Sequence, residues 1–195
     1  MIIGIDYSIS CPAVCIYTGN TPNPPLEACQ YYYLTDTLKY QGTFYTQPNA
    51  VTAGFKNHIG SFEGKLHAAW AHPMQRYSHM ADWVLNVIAI QKMFNEEYTT
   101  PLVVLESYGY NANGRITDLA EHTGVLKKKL YDANISYTTC TPSQVKKALC
   151  GRGNASKEEI AQHYTNTPSI FRPGKSPLSD CIDAYGLVLA HLSNP

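Results

Sequence analysis

A chain of 195 residues has room for one substantial core and hardly for two, and a single α/β domain over 1–195 is expected. Fifteen basic side chains balance fifteen acidic ones, only 15% of residues are charged, and 44% are apolar, which excludes a disordered chain. Apolar runs such as Leu102–Leu105 are too short to cross a bilayer, and MIIGIDYS resembles no secretory leader, so an intracellular protein without a membrane span is expected.

IIGIDY at 2–7 predicts a strand that ends on an acid, and ISCPAVCIYT at 9–18 predicts its hairpin partner. TPNPPLE reads as a turn and QYYYL at 30–34 as an aromatic third strand. Residues 35–75 carry scattered Gly, Pro, Asn and Thr with weak periodicity, which suggests short elements or a binding lobe inserted in the domain. From Gln75 to Glu97 the spacing of Met80, Trp83, Val84, Val87, Ile88, Gln91 and Phe94 predicts a helix. LVVLES at 102–107 suits a buried central strand. Residues 109–114 form a polar turn, and a helix follows from Arg115 to Tyr131, with Ile116, Leu119, Ala120, Val125, Leu126 and Leu130 inward. ISYTTC is a short strand. Thr141 then caps a helix with Pro142 at its first position, GRGN breaks it, and Ser156 caps the next with Glu159 three residues on. A loop from Pro168 to Pro177 leads to a last, largely apolar helix over Ser179–Leu192. The order implies a mixed sheet flanked by helices.

The neutral total hides a division. Residues 1–114 hold five basic and eight acidic side chains, whereas 115–175 hold ten basic and five acidic. The ten are Arg115, Lys127, Lys128, Lys129, Lys146, Lys147, Arg152, Lys157, Arg172 and Lys175. A solvated helical surface and a surface for a phosphate backbone both fit that excess. Four acids stand apart from it. Asp6 and Glu106 end apolar strands, and Asp180 and Asp183 lie three apart on one helix face. Carboxylates placed near one another repel unless a cation joins them, and Mg2+ or Mn2+ prefers such oxygen donors. Two such ions about 4 Å apart can activate water and steady the leaving oxygen in phosphodiester hydrolysis.

IIGIDYS, VVLES, RITDLAEHTGVLKKKL, PSQVKKALCGRGNASKEEI and SPLSDCIDAYGLVLA, in this order, resemble RuvC-type Holliday junction resolvases of the RNase H-like nuclease superfamily. The resemblance spans nearly the whole chain apart from 35–75. It implies an RNase H-like five-stranded mixed sheet, a homodimer, and symmetric cutting of four-way junctions with two Mg2+ ions per site, Mn2+ able to substitute. Asp6, Glu106, Asp180 and Asp183 match the family's metal-binding acids, and Lys146 and Lys157 match its catalytic lysines beside the scissile phosphate. Tyr108 or Tyr110 stands near the position of an aromatic that opens the junction. Arg115, Lys127, Lys128, Lys147, Arg152, Arg172 and Lys175 are further candidates for DNA contact. DYSISCPAV replaces the DPG usual in cellular members, and with the 35–75 segment this looks more like viral or phage relatives, some of which cut varied branched DNAs.

Alternatives from other classes are a nuclease of flaps or RNA–DNA hybrids, a non-catalytic DNA-binding protein, and an actin-like ATPase. The last lacks its paired phosphate loops here. Cys11, Cys15, Cys29, Cys140, Cys150 and Cys181 have no zinc-site spacing and read as free thiols. His58, His67, His72, His79, His122 and His163 read as surface or packing residues.

Overall fold

Strand β1 (Ile2–Asp6) lies inside a seven-stranded sheet and sets the geometry of everything below. The computed structural model describes residues 1–46, 60–94, 100–107 and 116–193. After β1 come β2 (Ala13–Tyr17), β3 (Gln30–Thr35), β4 (Gly42–Tyr45), β5 (Ser61–Leu66) and α1 (Pro73–Phe94). They are followed by β6 (Leu102–Glu106), α2 (Ile116–Asp132), β7 (Ser136–Cys140), α3 (Pro142–Cys150), α4 (Lys157–His163) and α5 (Leu178–Ser193). The strand order is β4-β5-β3-β2-β1-β6-β7. β1 pairs antiparallel with β2 and parallel with β6, and β6 pairs parallel with β7.

Period-two alternation splits the core into two layers. Ile3, Ile5, Val14, Ile16, Val103 and Leu105 face α1 and α2 with Met80, Val84, Leu126 and Leu130. Ala13, Cys15, Tyr31, Tyr33 and Val104 face α5 on the other side. Helix α5 is buried almost all round, from Leu178 to Ala190, which explains its nearly unbroken apolar sequence.

Seven strands correct the expectation of five. β3 binds β5 in parallel along its whole length, Gln30–Thr35 against Ser61–Leu66, and β4 pairs antiparallel with β5. Their alternation is weak because β4 is short and mostly exposed and β5 buries only Phe62 and Gly64. Phe62 anchors the addition by stacking on Tyr31 at 4.4 Å. β2 is shorter than its sequence suggests, since residues 7–12 turn and the Cys11 N–H donates to Ser8 Oγ at 3.1 Å. Two inward assignments on α2 also change. Ile116, at 40%, and Ala120 are exposed, and α2 buries His122, Thr123, Leu126 and Leu130 instead, while Phe94 at the end of α1 is 80% exposed.

Candidate active site

Two neighbouring parallel strands end on acids. β1 and β6 align Ile5 with Leu105, so Asp6 and Glu106 reach the same level at the carboxyl edge. Since Ile5 and Leu105 face α1 and α2, the next residue of each strand faces the α5 side. Helix α5 rests on β1 at Gly4, where a Cβ would stand 2.0 Å from the Ala184 carbonyl oxygen. Only glycine admits that approach. Just before Ala184, Asp183 and, one turn earlier, Asp180 come within the electrostatic reach of Asp6. Asp180 lies in the first turn of α5, where the helix dipole favours a negative charge.

The electrostatics record the crowding. Burial pushes the Asp6 carboxyl well above the usual carboxylate range, and Asp180, Asp183 and Glu106 push it further, with Lys157 opposing. Burial and Asp183 raise Glu106, while Lys157 and Lys146 pull it back. Burial likewise raises Asp180 against hydrogen bonds from two serines, and raises Asp183 against Lys157. Ser176 Oγ donates to Asp180 Oδ2 at 2.5 Å, and Ser179 Oγ to Oδ1 at 3.4 Å. Lys157 Nζ stands 3.6 Å from Asp183 Oδ2. Burial lowers the basicity of its ammonium, but Asp183, Asp180 and Asp6 together outweigh that and leave the lysine firmly charged.

Local sequence delivers both lysines. Thr141 and Gln144 form the expected capping box of α3, with Pro142 at its start. Gly151, at φ +78°, ends that helix in the left-handed conformation. Ser156 and Glu159 form a second capping box, which starts α4 at Lys157. Glu159 also takes the Arg152 guanidinium at 2.5 Å and so ties down the GRGN loop. α3 sits close on α5 because Gly186 faces Leu149, whose Cγ would be 2.7 Å from an added Cβ. Replacing the cap, Ser156→Ala, is expected to cost about 1 kcal/mol and lower the thermal unfolding midpoint by about 2–4 °C. Calorimetry of the two proteins checks it.

The structure thus brings Asp6, Glu106, Asp180, Asp183, Lys146 and Lys157 together from β1, β6, α5, α3 and α4. The other cations are engaged elsewhere or exposed. Lys128 pairs with Asp132 on its own helix at 2.6 Å, and Lys127 lies over the Tyr137 ring at 5.7 Å. Lys147, Arg172 and Lys175 are exposed. Tyr108, Tyr110 and Arg115 lie outside the described residues. Sequence reasoning missed Ser176 and Ser179, although a serine four residues before an acid at a helix start is a readable signal. His122 is a packing histidine: fully buried, it stacks on Tyr7 at 4.0 Å, and both ring nitrogens lack a hydrogen-bond partner. Burial lowers its pKa to about 4, so the ring is neutral.

Among the described residues, no three His, Cys, Asp or Glu side chains are drawn in closely enough to enclose a metal ion. The donor chemistry nevertheless fits a hard divalent cation. All four donors are carboxylates, each disfavoured as an anion by its surroundings, and Lys157 is too few charges to balance them. Among the described residues, no helix is long and apolar enough to cross a membrane.

The chain is similar to known proteins in both sequence and fold. The family model described as crossover junction endodeoxyribonuclease RuvC matches residues 74–191. The crossover junction endodeoxyribonuclease RuvC of Helicobacter acinonychis (strain Sheeba) is 33% identical over 116 residues, covering 58% of this chain and 72% of the relative. That of Helicobacter pylori (strain Shi470) is 29% identical over 119 residues, with the same coverage. The fold is similar to Thermus thermophilus RuvC at a TM-score of 0.53 and 21% identity, covering 97% of this chain and 92% of the other. It is also similar to T. thermophilus RuvC in complex with a Holliday junction substrate, at a TM-score of 0.54 and 17% identity, covering 97% and 91%.

Proposed function

Because the chain belongs to the RuvC family of crossover junction endodeoxyribonucleases, we propose that it resolves four-way DNA junctions by hydrolysing phosphodiester bonds at the acids of β1, β6 and α5. The observation that carries this reading is the meeting of four mutually repelling carboxylates with Lys157 at one sheet edge. Neither a flap or hybrid nuclease nor a non-catalytic binder is favoured by the relatives.

Asp6, Glu106, Asp180 and Asp183 would hold two Mg2+ ions, with Mn2+ able to replace them. Such ions polarise the phosphoryl group and lower the pKa of a bound water. Asp6, which feels the other three acids, is suited to be the shared ligand. Ser176 and Ser179 keep the Asp180 carboxylate oriented. The long contact between Lys157 and Asp183 leaves the ammonium free to turn to a phosphate oxygen, and Lys146 approaches from α3. Lys127, Lys128, Lys147, Arg152, Arg172 and Lys175 would position the duplex arms, together with Arg115. A tyrosine, Tyr108 or Tyr110, would stack on a base at the branch. Two copies of the chain, acting inside the cell, would cut opposite strands.

The test uses the full chain on a four-way junction, a flap, an RNA–DNA hybrid and a linear duplex, with Mg2+ and with a chelator. Paired cuts in the junction that vanish under chelation are expected. Equal cutting of the linear duplex or the hybrid, or undiminished cutting under chelation, overturns the reading.

A further inference from the structure

Beyond the acids, the turn between β1 and β2 has a second side. A cavity of about 370 Å3 opens there, lined by Ser10, Asp36, His67, Trp70, His72 and Arg76. Its size falls within the range of small-ligand sites. Cys11 on this turn links it to the acids, because its thiol lies in the field of both Asp180 and Asp36. Cavity and acids therefore flank the same few residues.

The walls are built for a flat ring. His67 stacks on Trp70 with centroids 4.4 Å apart. The ring nitrogens of His67 lie 3.1 Å from the carbonyl oxygens of Ala68 and Ser10, and Trp70 Nε1 donates to His79 Nδ1 at 2.9 Å. The one polar atom of the indole is thus spent on the protein and one of its faces on His67, which fixes the ring as an apolar wall of the cavity. Around it stand hydrogen-bonding groups of both kinds. Asp36 accepts. His72 takes the Met74 N–H on Nδ1 at 3.2 Å, so its Nε2 carries the proton and donates. Arg76 brings a cation, and its buried Nε has no hydrogen-bond partner.

An aromatic face, an acceptor, a donor and a cation together match one class of ligand: a nucleobase carrying its phosphate. We propose that this pocket receives one unstacked nucleotide of the branched DNA, beside the strand that is cut. The proposal rests on the nuclease reading above and adds to it the feature of DNA that is recognised. A branch point is where an unstacked base costs least, because pairing and stacking are already weakened there. Except for Arg76, every lining residue named above precedes the segment matched by the family model, which begins at residue 74, so the pocket lies mostly in the amino-terminal part outside that match.

The experiment places 2-aminopurine at each position flanking the branch of a four-way junction and holds the full chain in chelator so that no cutting occurs. Wild type is expected to quench the probe at one position. Trp70→Ala is expected to lose that quenching and bind the junction roughly tenfold more weakly, with linear-duplex affinity unchanged. Trp70→Phe should retain most of both signals, and His72→Ala, at the exposed mouth, should weaken junction binding less. Unfolding midpoints are measured for each variant, and if Trp70→Ala fails to fold, probe quenching in Trp70→Phe and His72→Ala decides. Junction binding and quenching that are unchanged in Trp70→Ala and His72→Ala overturn the pocket while leaving the nuclease reading intact. An equal loss on linear duplex also overturns it. Saturation by a free deoxynucleoside monophosphate as tight as the junction would assign the pocket to free nucleotide and overturn the strand-bound source. A wild type that neither binds nor cuts branched DNA defeats the nuclease reading, and the pocket proposal falls with it.

Discussion

Asp6→Asn is expected to slow junction cleavage at least about a thousandfold, equivalent to roughly 4 kcal/mol of barrier, while junction affinity stays close to that of the wild type. The substitution keeps the shape of the side chain and removes one charge. That charge lies at the centre of the set, in the field of Glu106, Asp180, Asp183 and Lys157 at once, so no neighbour can stand in for it. The lysines and arginines that would carry the DNA remain in place, which is why affinity survives. Single-turnover cleavage and a binding titration under chelation separate the two quantities. Cleavage by Asp6→Asn at the wild-type rate would sink the assignment of Asp6 to the metals.

A second large effect concerns stability. Burial first, and neighbouring acids at Asp6, Glu106 and Asp183, raise the folded pKa of all four carboxyls above their unfolded values. The native state therefore holds these protons more tightly. The resulting stability is full below the unfolded carboxylate range near pH 4 and is lost as pH rises through the folded values. Without divalent ions the unfolding midpoint should consequently fall as pH rises above about 4. Ion at a hundredfold excess over its Kd should restore about 2.7 kcal/mol, or roughly 5–10 °C for a chain of this size. His122 adds an opposite limb. Its folded pKa is lowered to about 4, so its share of stability is present above the unfolded value near 6.5 and is lost as pH falls toward 4. Asp6→Asn should flatten the carboxylate limb, abolish the gain from metal and leave the histidine limb unchanged. Thermal melts across pH, with and without Mn2+, check all three. A wild-type midpoint indifferent to Mn2+ at pH 8 would contradict the account.

What could be read from the residues was set by local rules. Asp6 and Glu106 stand out because an acid ending an apolar strand needs a reason, and both capping boxes are written within four residues. Strands β4 and β5 were hidden because β5 pairs with β3 and β4 in turn with β5, long-range matches that no short window contains. Phe94 and Ile116 sit at helix ends where the apolar stripe has run past the sheet, so their spacing misleads about their exposure. Ser176 could have been suspected from its place before Asp180. The Trp70 pocket could not, since it exists only where residues 67–76 fold back over the turn after β1.

The contact between β1 and α5 at Gly4 also bears on when the molecule becomes dangerous. Asp6 and Asp183 are 177 positions apart in the chain, and nothing between them holds a full set of acids. Parallel pairing of β1 with β6 and docking of α5 are non-local events, which form late in folding. If the four acids act as proposed, a chain still on the ribosome without residues 178–193 carries Asp6 and Glu106 but lacks Asp180 and Asp183, and would not cut. Fragments left by proteolysis before α5 would share that silence, so on the proposed assignment the competence to break DNA comes only once α5 has docked.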